Sequence, residues 1–247
     1  MKQLRIIGII CLWGVAIQFV SAQETLRIIK LGSEQAELLP RVLKNYAAIK
    51  MNMQFSNPQE KLTKGVQRLD SINRELIRLI EDPRGKALQQ KANLFWEKGH
   101  AEALKRPTPE GLQRLKKHFF ALFDNRVELI QLEQKIDGSD ASMKVLILGK
   151  LSLLPQKFAG MYMLLKNTKG KDRDHVIEVL EKYVKMYEKA VNGIEKLDPQ
   201  NPVIITMQKN LLFLKHVIQP DRVFTPALVF SKTNNMTEDA YKAMKME

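Results

Sequence analysis

The sequence predicts an all-α protein: tandem up-and-down helical bundles from an internal duplication, with an irregular C-terminal strap. Three observations carry that prediction. After Gln23 the apolar residues recur at three- and four-residue spacing, the period of a helix buried on one face, rather than alternating as in a strand. Proline, glycine and Asx signals cut this pattern into helix-length pieces. The pieces then return in the same order 116 to 118 residues further on.

The chain opens with MKQLR, the apolar run IIGIICLWGVAIQFV and then Ser21-Ala22-Gln23. A basic start, a short apolar stretch and small residues before a polar break describe a secretory signal peptide over residues 1–22. Val20 and Ala22 take the −3 and −1 positions for cleavage before Gln23. The run is shorter than the ~20 residues that span a bilayer, so a cleaved leader is expected rather than an anchor. Cys11, the single cysteine, leaves with it. The mature chain then has no thiol for disulfides, Cys-ligated zinc, iron–sulfur clusters or nucleophilic catalysis. The expected location is periplasmic or secreted.

Loss of Lys2 and Arg5 reduces the 40 basic residues to 38 against 27 acidic ones. A field of that sign favours anionic partners: small anions, acidic proteins, lipid headgroups or envelope polymers. Export argues against nucleic acid. The basic residues are spread along every segment without a polybasic cluster, the pattern of a solvated basic surface.

Each element has its own signals. A first helix runs to Ser56-Asn57-Pro58, where Pro58 suits the first turn of a second. Leu62, Val66, Leu69, Ile72, Leu76 and Leu79 form the buried stripe of that second helix, and Asp82-Pro83 ends it. A third spans about Gly85 to Lys105, stopped by Pro107-Thr108-Pro109, and a fourth covers Glu110 to Ile136. Asp137-Gly138-Ser139-Asp140 is a cap-rich turn. The pattern then restarts. A shift of 116 places Leu38, Arg41, Tyr46 and Lys50 on Leu154, Lys157, Tyr162 and Lys166. A shift of 118 places Leu62, Val66 and Leu76 on Leu180, Val184 and Ile194, and both second helices end in Asp-Pro. QKANLFW (90–96) then answers QKNLLFL (208–214). Pro40 and Pro155 sit early in the matching helices and bend both. The expected units are residues 23–137 and 138–218. Pro226 is expected to keep RVFTPALVFSKTNN, within residues 219–247, from forming a regular helix, leaving a strap over the bundle and a short helix from about Thr237.

The segment GKLSLLPQKFAGMY (149–162) resembles the box of the PilJ-type domain, the N-terminal region of type IV pili methyl-accepting chemotaxis transducers, through Gly149, Leu154, Gln156, Lys157, Ala159 and Tyr162. The first copy agrees at Leu38, Arg41, Lys44 and Tyr46. The resemblance implies an extracytoplasmic helical bundle used as a sensory module. Nitrate-sensing relatives bind the anion through an arginine whose positions here are Ala36 and Ser152, neither of which offers a charged donor. Nitrate binding by that route is not expected. A transducer also needs a span after the sensor, and no apolar run after residue 23 reaches that length.

The candidate ligand-binding residues are therefore Arg41, Tyr46 and Lys50, with Lys157, Tyr162 and Lys166 at the repeated positions. Each tyrosine and its lysine lie one helical turn apart, either as a paired polar site or as a buried ring covered by a lysine stem. Asp172-Arg173-Asp174-His175 places ligand-type residues together, but without partners at metal spacing it reads as a helix start. No catalytic set, metal site or cofactor motif is found, so the expectation is a non-enzymatic, ligand-binding or sensory module without cofactors. It would act through a small molecule of anionic character or an envelope or membrane partner protein. The alternative is a structural envelope protein with a basic surface.

Overall fold

The computed structural model describes residues 2–50, 52, 57–165, 168–219 and 223–246, with side chains described from Gln23 onward except at Leu164. The expected leader (1–22) thus lies outside the described side chains, and Lys166 outside the described residues altogether. Eight helices and no strand make up the described residues: α1 (Lys2–Lys50), α2 (Pro58–Leu79), α3 (Pro83–Ala103), α4 (Pro109–Asp137), α5 (Asp140–Leu164), α6 (Gly170–Leu197), α7 (Val203–Val217) and α8 (Pro226–Met246). The all-α expectation holds.

The local signals act as their chemistry dictates. Asp82 accepts the Gly85 amide at 2.8 Å and Thr108 accepts that of Gly111 at 2.9 Å, each just ahead of a proline that opens the helix. Gly138 ends α4 in the left-handed region at φ 63°, which suits a residue without Cβ, and Ser139 then caps α5. Pro40 and Pro155 lie inside α1 and α5.

Two apolar cores result. One is enclosed by α1 to α4 and holds Val42, Leu69, Ile72, Phe119 and Leu122, all fully buried. The other is built around Val145, Phe158, Leu180 and Met236 of α5, α6 and α8 with α7, and is joined by Ile29 of α1 and Ile130 of α4. The two halves share part of their helix pairing, the third helix packing chiefly on the fourth in the first half and on both the second and the fourth in the other. In both, the first helix packs on the second and the fourth. Burial of a side chain such as Phe119 or Phe158 contributes about 2–3 kcal/mol. The halves join where α1 lies along α5. The contact is close at Gly149, where an added Cβ would stand 2.7 Å from Ser33 Oγ.

The C-terminal strap is corrected. Residues 226–246 are a continuous helix, because Pro226 occupies its first position, where the missing N–H costs no intrahelical bond. This α8 packs on α5 and gives Val229, Met236, Ala240 and Met244 to the second core. No helix among the described residues is long and apolar enough to cross a membrane.

Candidate functional site: a basic cleft between α1, α2 and α8

Arg41 and Lys44 are one turn apart on α1. Lys61, Lys64 and Arg68 fall at i, i+3 and i+7 on α2 and so share a face. The two rows come together because α2 carries no side chain at Gly65, where a Cβ would meet Val42 Cγ2 at 2.7 Å. Helix α8 forms the third wall through Ser231, Asn234, Asn235, Glu238, Tyr241 and Lys245. The half-open cleft measures about 700 Å³, within the range of small-molecule sites. Six cationic side chains line it against two acidic ones, Glu34 and Glu238.

The cations differ in how they are neutralised. Arg68 makes a two-pronged pair with Glu34, at 2.6 Å for both bonds, and Tyr241 also hydrogen-bonds to Glu34. This clamp ties α2, α1 and α8 at one end of the cleft and raises the affinity of Arg68 for its proton. Arg41 donates to Glu37 at 2.8 Å, while burial pushes the Glu37 carboxyl upward against the pull of Arg41.

Lys44 is different. Its ammonium donates to Gln156 Oε1 at 2.6 Å and to Asn234 Oδ1 at 2.8 Å, and lies 3.9 Å from the centroid of the Phe230 ring. Both hydrogen-bond partners are neutral amides. Burial, reinforced by Arg41, lowers its pKa to about 7. Gln156 is held in turn by Thr237 Oγ1 at 2.9 Å and the Thr233 carbonyl at 3.3 Å. The floor of the cleft is therefore a lysine of lowered pKa held on an amide scaffold.

Of the residues expected to bind ligand, Arg41 lines this cleft. Tyr46 is fully buried in the first core, its hydroxyl against Gly111, where an added Cβ would stand 2.4 Å away. Tyr162 is buried in the second core, stacked between Phe158 and Phe224, and its hydroxyl accepts the Thr225 amide at 3.1 Å. Both rings thus brace the start of the fourth helix of their own half and do not line the cleft. Lys50 is exposed at the end of α1. Lys157 lies 4.1 Å from the centroid of Phe123, half-buried and with its pKa lowered by burial, on the interface between α5 and α4. Lys166 lies outside the described residues. Asp172 to His175 stand in the first turns of α6. Among the described residues no cluster of three His, Cys, Asp or Glu side chains gathers at metal spacing.

The residues that sequence reasoning passes over are Lys44 and Gln156, which enter it only through the resemblance, and Lys61, Lys64, Arg68, Asn234 and Tyr241. The i, i+3, i+7 run on α2 is the available signal, since it marks one basic face rather than a scattered surface. Comparison with protein families, with curated proteins and with solved structures finds no match to this chain.

Proposed function

We propose that the chain is an exported, non-catalytic binding module whose basic cleft takes a small anion and passes the event to a partner protein. The observation that carries this reading is Lys44, a half-buried ammonium at the floor of a cationic cleft with neutral amides as its hydrogen-bond partners. Among the described residues the only carboxylate acting on this position is Glu37, already paired with Arg41, and an anionic ligand supplies further counter-charge. The walls also offer acceptors, in the amides of Asn234 and Asn235 and the carboxylate of Glu238. A ligand that bears hydroxyl groups beside its carboxylate or phosphate satisfies both sets, which points to the sugar-acid or sugar-phosphate class.

The proposed mechanism is a shift in helix packing. The cleft lies between α1 and α2 of the first half and α8 of the second, so a ligand touching all three favours the arrangement in which they close on it. The resemblance to PilJ-type modules supports a sensory role, and the repeated segments support an origin by duplication. The test is the thermal stability of the chain against a panel of small carboxylates and phosphates. At a hundredfold over its dissociation constant, a true ligand adds about 2.7 kcal/mol. The gain disappears in Arg41→Ala and in Lys44→Met. Binding that responds to neither variant and vanishes with rising salt would instead favour a basic envelope-contacting surface.

A further inference from the structure

Arg126 of α4 is fully buried in the first half. Its Nε donates to Gln35 Oε1 of α1 and its Nη2 to Asn73 Oδ1 of α2, the latter at 3.3 Å. Asn73 also accepts from Gln89 Nε2 of α3 at 3.0 Å and donates to Asn93 Oδ1 at 3.1 Å. All four helices contribute to the network, and every partner of the guanidinium is a neutral amide. Two buried donors on the bonded pair, Arg126 Nη1 and Gln35 Nε2, have no acceptor. Burial alone pulls the pKa of Arg126 down to about 9, so the group still carries its charge at neutral pH. A buried charge without a counter-ion is costly to a fold.

The second half shows that the scaffold does not require this network. The position 116 residues beyond Gln35 is Leu151, and those 118 beyond Asn73 and Gln89 are Val191 and Met207. Thr108-Pro109 recurs as Thr225-Pro226, an interval of 117 that places Ala243 opposite Arg126. All four counterparts are buried, and all are apolar. The first helix packs on the second and the fourth there as well, without a buried charge between them among the described residues.

We propose that Arg126 and Gln35 form an internal site for a compact monovalent anion of halide size, enclosed by α1 to α4 and separate from the basic cleft. Donors without acceptors around a single positive charge select an acceptor of charge −1. Enclosure by a packed core excludes large or polyvalent anions, whose dehydration nothing here offsets. Neither residue lines the cleft.

The experiment uses the full chain dialysed into sodium gluconate and titrated with sodium chloride or bromide at constant ionic strength. Melting temperature and the chloride-35 NMR line width are followed together. The expected result is a saturable rise of about 5 °C or more at a hundredfold over the dissociation constant. It is accompanied by chloride line broadening that bromide relieves. Both responses are lost in Arg126→Met and in the triple variant Q35L/N73V/R126A, which installs the residues of the second half, and both survive in Lys44→Met. A wild-type chain without saturable halide response overturns the proposal, leaving ordered water as what meets these donors. A response that persists in Arg126→Met overturns it as well, since the anion then sits elsewhere.

Discussion

The Lys157 ammonium stands 4.1 Å from the centroid of the Phe123 ring, joining α5 of the second half to α4 of the first. Lys44 does the reciprocal thing over Phe230, joining α1 to α8. Two lysines of the first helices thus bind phenylalanines of the opposite fourth helices. Their surroundings separate their roles, because Lys44 faces the cleft and Lys157 does not. Lys157→Ala is expected to cost about 1 kcal/mol of stability through the lost ring contact. Anion affinity, read by calorimetric titration, stays within twofold of the parent. A larger loss of affinity would return Lys157 to the binding site.

Lys44 should make the proposed anion binding pH-dependent. Its pKa is about 7 when folded and 10.5 as an unperturbed side chain, so between those values the unfolded chain holds more protons. The unliganded protein therefore gains stability as pH rises from about 7 to 10.5. The proposed anion binding should run the other way, because an anion prefers the charged ammonium. Affinity should fall about tenfold per pH unit above 7. Titrations at pH 6, 7, 8 and 9 check this slope, and Lys44→Met removes it together with most of the affinity. An unchanged slope in that variant would assign the titration to another group.

The glycines give a paired test of packing. At Gly111 an added Cβ would lie 2.4 Å from Tyr46 Oη and 2.7 Å from Glu102 Oε1, both held in place by burial. Gly111→Ala should destabilise by about 1–3 kcal/mol. Gly160 lies within α5 and is exposed, with nothing within 4 Å of its Cβ position. Gly160→Ala should therefore stabilise by about 0.5–1 kcal/mol through helix propensity alone. Urea denaturation of the two variants decides the sign of each.

Much of this architecture is legible in the amino-acid order. Helix period, Asx-Pro boundaries and the recurring segments are local properties, and local rules set them. Pro226 misleads because a proline reads as a breaker from its identity alone, whereas its position decides its effect. The matching Thr-Pro pair at 108–109 is the available correction. The tyrosines recur for packing reasons, which spacing on one helix cannot distinguish from a polar site. The cleft escapes because Arg41, Lys61 and Lys245 are far apart along the chain and meet only when α8 folds back over α1 and α2.

Glu133 offers a second titration, of opposite sign. It is buried on α4 beside the start of α3, one of its oxygens has no partner, and burial, with Asp82 adding, pushes its pKa up to about 7. The ordinary value is 4.5, so the folded chain holds more protons between 4.5 and 7 and loses stability as pH rises through that window. Glu133→Gln should be neutral at pH 4 and stabilising by on the order of 2 kcal/mol at pH 8. Chemical denaturation at both values reads the difference.

Helix α1 carries Gln35 at one level and Arg41 and Lys44 a little further along, with Pro40 between them. A proline there withholds the N–H that would close the turn onto the Ala36 carbonyl, so the rod is most compliant between those levels. An inner anion and a cleft ligand would then load the same lever on opposite sides of its fulcrum. Whatever factor one exerts on the affinity of the other must be returned in full, because heterotropic coupling is reciprocal. A single helix shared by both proposed sites would in this way make the occupancy of one depend on the salt around the other.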